Sequence, residues 1–164
     1  MIKLEKPDID VESIITDCTA NLTKQPILTH INASKTTIVS KSEKYNELAE
    51  KGQLGTLETH TMIEGGATKD DMVWLYDNKF VADGGRKYYD KIKAIPKYSK
   101  CPFCGVGIVS TLDHYLPKTK YPTYALTPVN LIACCADCNK NKKSEISETR
   151  NNEFIPVSYT HLRA

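Results

Sequence analysis

Apolar residues recur at helical spacing through most of the first 95 positions, then give way to short β-prone pieces broken by Gly, Pro and Cys. Val11, Ile14, Ile15, Cys18 and Leu22 fall on one stripe, which predicts a helix over residues 10–22 with Asp8 or Asp10 as its cap. Pro26 and the Thr-rich stretch up to Ser40 read as a polar connection. A second helix is predicted over 42–51, started by Ser42 and stopped by Gly52. Gly65-Gly66 marks a break. Thr68 then caps a third helix over 69–81, carrying Met72, Val73, Trp74, Tyr76 and Phe80. After the Asp83-Gly84-Gly85 turn, a fourth helix over 86–95 presents Tyr88, Tyr89, Ile92 and Ile95, and Pro96 ends it. Beyond it the pattern predicts a strand over 107–112, a proline-containing loop over 117–127, a strand over 129–133 and a closing helix from 135 to about 146. The expected class is α+β: a mostly helical region over 1–95, followed by a small ββα unit over 96–150.

The length of 164 residues suits one domain, or a small domain with an extension. With 40% hydrophobic and 26% charged residues, the composition is that of a globular protein. No apolar run approaches the ~18 residues of a membrane span. The opening MIKLEKPDIDVES has no apolar core of a secretory leader, so a cytoplasmic, reducing setting is expected. The net charge of +2 hides an asymmetry. Residues 1–95 carry a net −2 and residues 96–150 a net +4, a tilt that suits a polyanionic partner at the basic end.

The cysteines sharpen this. Five of the six lie within a 38-residue window, and four of them form Cys101-Pro-Phe-Cys104 and Cys135-Ala-Asp-Cys138. In a reducing compartment, paired CxxC turns predict a tetrahedral structural zinc held by Cys101, Cys104, Cys135 and Cys138. Cys18 and Cys134 are expected to be core residues. The 30 residues between the two turns exceed what a bare zinc ribbon needs, so the loop is expected to display something.

That loop carries Asp113-His114 and Asn130, with Asn139 directly after the last cysteine. The stretch CPFCG…LDHYLPKTKYPTYALTPVNLIACCADCNKNKKS resembles the HNH endonuclease family in its zinc-knuckled ββα-metal branch, over residues 101 to about 144. The resemblance implies His114 as the general base and Asp113 and Asn139 as oxygen ligands of a catalytic Mg²⁺ or Mn²⁺. It implies Asn130 as the residue that bonds the loop and keeps the imidazole oriented. The family's final His is Asn139 here, which shifts the expected metal preference toward hard ions. The implied activity is hydrolysis of DNA phosphodiester bonds in a restriction, phage-defence or mobile-element role, with RNA also open as a substrate. A zinc-dependent nucleic-acid-binding module without catalysis is the alternative.

Lys118, Lys120, Lys140, Lys142 and Lys143 are expected to form a phosphate track beside the site. Tyr115, Tyr121 and Tyr124 are expected to pack the loop, His30 and His60 to be ordinary, and Trp74 to anchor the helical core. Residues 1–95 are candidates for DNA contact, for buttressing, or for a protein partner. Residues 151–164 read as a tail. Its end, VSYTHLRA (Val157 to Ala164), resembles a non-native adaptor-derived sequence, so native sequence is expected to run to about residue 156.

Overall fold

The computed structural model describes residues 4–142. The architecture is mixed, with five α-helices and one two-stranded antiparallel sheet among these residues. Helix α1 (Val11–Thr19) starts where Asp10 accepts the Ser13 amide at 2.7 Å. Its Ile14, Ile15 and Cys18 are fully buried.

Helix α2 (Ile27–Glu50) is 24 residues long and replaces the expected connection and short helix with one continuous element. Ile27, Ile31, Ser34, Ile38, Ser42, Tyr45 and Ala49 form its buried stripe at steps of three or four. Burial of that stripe overrides the weak helix propensity of the intervening Thr and Ser residues. Ser42 is therefore no cap: it lies inside the helix, and its hydroxyl shares a 2.6 Å bond with Thr127. Gly52, at φ 65°, ends the element as expected. The Gly52 and Gln53 amides donate back to Ala49 and Leu48, closing a left-handed cap.

The chain then crosses α2 closely. A Cβ on Gly65 would stand 2.4 Å from the Ala33 carbonyl oxygen, so this position admits only glycine. Thr68 and Asp71 form a reciprocal capping box that starts α3 (Lys69–Leu75). The predicted helix over 69–81 does not continue as an α-helix. From Tyr76 to Phe80 it widens into a π turn, closed by the Val81 amide on the Tyr76 carbonyl. Trp74 lies at the margin of the core, with the Lys24 ammonium over its ring. Helix α4 (Arg86–Lys93) buries Tyr88, Tyr89 and Ile92.

Strands β1 (Thr111–His114) and β2 (Leu131–Cys134) pair antiparallel, with Thr111 opposite Cys134 and His114 opposite Leu131. β1 begins four residues later than predicted. The cysteine turn takes up the preceding residues: Cys101 donates to the Gly107 carbonyl, and Ile108 pairs with Lys100 instead of β2. β2 likewise begins two residues late. Helix α5 (Ala136–Lys142) follows at once, and the rest of the predicted closing helix lies outside the described residues.

The main core is shared by the helices and the sheet. Ile14, Ile31, Ile38, Met72, Leu75 and Phe80 pack in one cluster with Leu112, Leu126, Leu131 and Ala133. A second cluster joins Tyr45, Ala49 and Leu54 to Leu116, Tyr121, Tyr124 and Val129, so the loop tyrosines do pack rather than protrude. Asn130 is fully buried between them. Its Oδ1 accepts from the Tyr45 hydroxyl and the Leu116 amide, and its Nδ2 donates to the Leu116 and Tyr124 carbonyls. Asn130→Ala would strand these partners in an apolar interior, and a loss of about 3 kcal/mol or more in urea-denaturation stability is expected. A loss below about 1 kcal/mol would show that the clasp is dispensable.

Candidate functional site

Two tight turns bring the four cysteines together. Their sulfurs all lie within 4.8 Å of one another, with Cys104 and Cys135 at 4.0 Å. A tetrahedral zinc with Zn–S bonds of about 2.3 Å needs sulfurs roughly 3.8 Å apart, so the set fits zinc with shifts of tenths of an ångström. The Gly107 amide donates to Cys104 Sγ at 3.3 Å, and the Cys138 amide to Cys135 Sγ at 3.5 Å. Backbone donation from Gly107 and then Val106 pulls the Cys104 thiol down to about 6, while desolvation pushes the Cys138 thiol up. A Cβ at Gly107 would lie 2.8 Å from Cys135 Sγ, so the turn closes only on glycine. Cys18 and Cys134 are buried outside the set, as expected, and burial pushes both thiols up to about 12. Among the described residues this is the one cluster of three or more His, Cys, Asp or Glu side chains able to share a metal ion.

A cleft of about 490 Å³ lies beside β1. Asp113, His114, Asn139 and Lys118 line it, brought there by β1, α5 and the following loop. Tyr76, Asp77 and Tyr89 supply the opposite wall from the helical region. The His114 Nε2 is 2.9 Å from the Ala125 carbonyl oxygen. A carbonyl can only accept, so Nε2 carries the proton and Nδ1 is the basic nitrogen. The Tyr76 ring stands edge-on to the imidazole, centroids 4.5 Å apart. Burial drives His114 down to about 3, with the Lys118 and Lys142 charges adding to it against the pull of the Ala125 carbonyl. The ring is neutral at pH 7.

Asp113 is buried, and burial raises its carboxyl above the ordinary range despite a close ammonium. That ammonium belongs to Lys142, whose Nζ lies 2.6 Å from Asp113 Oδ2 and 2.7 Å from the His114 carbonyl oxygen.

The predicted residues therefore separate. Asp113, His114 and Asn139 meet in the cleft. Asn130 does not touch the imidazole; it bonds the loop at Tyr124, next to the Ala125 carbonyl that holds the ring. Lys118 reaches the cleft, where its ammonium pairs with Asp77 and lies 4.2 Å from the Tyr76 ring centroid. Lys120 and Lys140 are exposed. Lys142 is corrected: its side chain is only 11% exposed, and the carboxylate and carbonyls it meets draw it inward, away from any solvent-facing phosphate track. Lys143 lies outside the described residues. Sequence reading missed Tyr76 and Asp77; Tyr76 is in the core stripe of the predicted helix, and the π turn is what aims both residues at the cleft. His30 pairs with Asp71, and His60 bonds Thr123.

No protein-family description matches the chain, and no solved structure resembles it significantly. The chain is similar to Protein ea31 of Escherichia phage lambda, 30% identical over 155 residues that cover 89% of this chain. It spans about half (52%) of that relative's length. No helix is long and apolar enough to cross a membrane among the described residues.

Two outcomes follow from the site's chemistry. The purified protein should carry about one zinc per chain by metal analysis. Cys138→Ser and Gly107→Ala should both lose it with much of the fold, since structural zinc is worth on the order of 10 kcal/mol; full zinc retention in both would remove the metal from this cluster. The second outcome concerns pH. Between the ordinary 6.5 and about 3, unfolded His114 takes a proton that folded His114 refuses. Its contribution to stability therefore falls as pH drops, by up to ~1.4 kcal/mol per pH unit. Denaturation midpoints from pH 7 to 5 should decline less steeply in His114→Gln than in the parent.

Proposed function

We propose that the protein is a metal-dependent endonuclease of the HNH type, hydrolysing DNA phosphodiester bonds. The observation that carries this reading is the convergence of Asp113, His114 and Asn139 in one cleft beside the four-cysteine cluster. The donor chemistry fits a hard divalent ion: a carboxylate from Asp113 and an amide oxygen from Asn139 are suited to Mg²⁺ or Mn²⁺. When bound, such an ion supplies positive charge to the phosphate oxygens.

The chain's own groups do the rest. His114 Nδ1 takes a proton from the attacking water as the new O–P bond forms. The P–O3′ bond breaks, leaving a 5′ phosphate and a 3′ oxygen that is protonated from solvent. A phosphodiester anion in the cleft raises the imidazole from its low resting value, because an opposite charge favours the protonated ring. Ala125 holds the ring in the tautomer this needs, and Lys118 offers a cation to a nonbridging oxygen. Cys101, Cys104, Cys135 and Cys138 would hold a zinc that ties the turn before β1 to α5, the two elements that carry Asp113 and Asn139 to the cleft. The phage source of the relative accords with a phage-defence or mobile-element setting; restriction is the third context the module serves.

One observation favours a second reading, a zinc-dependent nucleic-acid-binding module without catalysis. Lys142 already neutralises Asp113, so the carboxylate has a structural partner without any ion. Supercoiled plasmid incubated with Mg²⁺, Mn²⁺ or EDTA separates the two. Metal-dependent nicking is expected. His114→Ala should slow it by about 10²–10⁴-fold while keeping zinc and DNA affinity. Asp113→Ala should fail through the metal and recover partly in excess Mn²⁺. DNA binding without nicking would favour the second reading, and nicking by His114→Ala at the parent rate would remove the imidazole from the chemistry.

A further inference from the structure

The cysteine turn presents a second surface that the cleft chemistry does not use. Between Asp90 and Asp113 the chain has no acidic residue and four lysines, at 91, 93, 97 and 100. Among the described residues, Lys91, Lys97 and Lys100 have no ion pair, while Lys93 pairs with Asp90. In the helical part most described lysines are instead paired with carboxylates, as Lys6, Lys35, Lys44, Lys69, Lys79 and Lys87 are.

The same segment carries three of the four large apolar side chains most exposed among the described residues: Tyr98 at 90%, Val106 at 76% and Ile108 at 60%. They are brought to one edge. Ile108 pairs with Lys100, the Val109 amide donates to Ser99, and Lys100 Nζ reaches the Val106 carbonyl. Tyr98 and Ser99 both sit at positive φ, 57° and 53°. For a bulky side chain this conformation is strained, and it holds an aromatic ring out in water between two lysines.

Exposed apolar groups among uncompensated cations fit a polyanion that also offers flat apolar faces. We propose that this edge is a nucleic-acid contact surface, with Tyr98 stacking on an exposed base and Lys97 and Lys100 on the flanking phosphates. An acidic protein would use the lysines but gives the ring nothing comparable to stack on. β1 runs directly from this turn into the cleft, so one strand can follow the segment from Tyr98 to Asp113. The surface rests on the nucleic-acid part of the proposed function and not on cleavage.

The test is binding of a fluorescein-labelled single-stranded DNA 20-mer to the full chain by anisotropy, across a salt series in EDTA-free buffer. Tyr98→Ala should weaken binding by about five- to a hundred-fold, as loss of one stacked base does, with the salt slope unchanged. Tyr98→Phe should bind as the parent does. Lys97→Ala with Lys100→Ala should flatten the slope of log K against log salt by roughly 1.4, two phosphates' worth for a single strand. All variants should keep parental zinc content by metal analysis and parental melting behaviour. Parent-like affinity in Tyr98→Ala and a parent-like slope in the double variant would overturn the surface while leaving the cleft reading intact. A parent protein that nicks nothing and binds no DNA would overturn both. Binding lost equally in Tyr98→Ala and Tyr98→Phe would overturn the stacking role.

Discussion

The carboxamide of Asn130 is the contact on which the geometry of the cleft depends. It is sealed from solvent, and both ends are used, toward α2 through Tyr45 and toward the loop through Leu116 and Tyr124. In a low-dielectric interior each such bond is costly to leave unmade, so the loop has one arrangement that satisfies all four. That arrangement sets the Ala125 carbonyl where the His114 ring can donate to it. The order of causes runs from a buried amide to a loop conformation to a tautomer.

Electrostatics around the imidazole follow from the same geometry. Lys118 approaches from the loop and Lys142 from α5, and each meets a carboxylate, Asp77 and Asp113 respectively. The ammonium charges are compensated, yet both still act on the ring between them, and burial does the larger part in keeping it neutral. Asp77 comes from the π turn, so the helical region is one wall of the cleft and not a distant appendage. A one-residue widening of a helix rotates everything after it, and such turns recur at functional sites.

What could be read from sequence was local chemistry. The two Cys-x-x-Cys turns, the caps at Asp10 and Thr68, and the stop at Gly52 each depend on a few neighbouring residues, and all five appear in the structure. Asp113, His114 and Asn139, singled out through the family resemblance, line one cleft. The first half of α2 was not legible: Ile27, Ile31 and Ile38 are spaced by helical turns, but Thr, Ser and Asn between them masked the stripe. The onset of β1 was misplaced because a pairing between Lys100 and Ile108 competes for the same residues. The inward turn of Lys142 depends on a carboxylate 29 residues away, which no local pattern announces.

The core shared by helices and sheet has a consequence for any protein that docks on the helical side. Leu112 and Leu131, the neighbours of Asp113 and Ile132 along the strands, sit in the same close-packed cluster as Ile14 and Phe80. Close-packed interiors transmit displacement instead of absorbing it. A ligand that shifts α1 or α4 changes the shape of the cleft, and by thermodynamic reciprocity filling the cleft changes that ligand's affinity by the same factor.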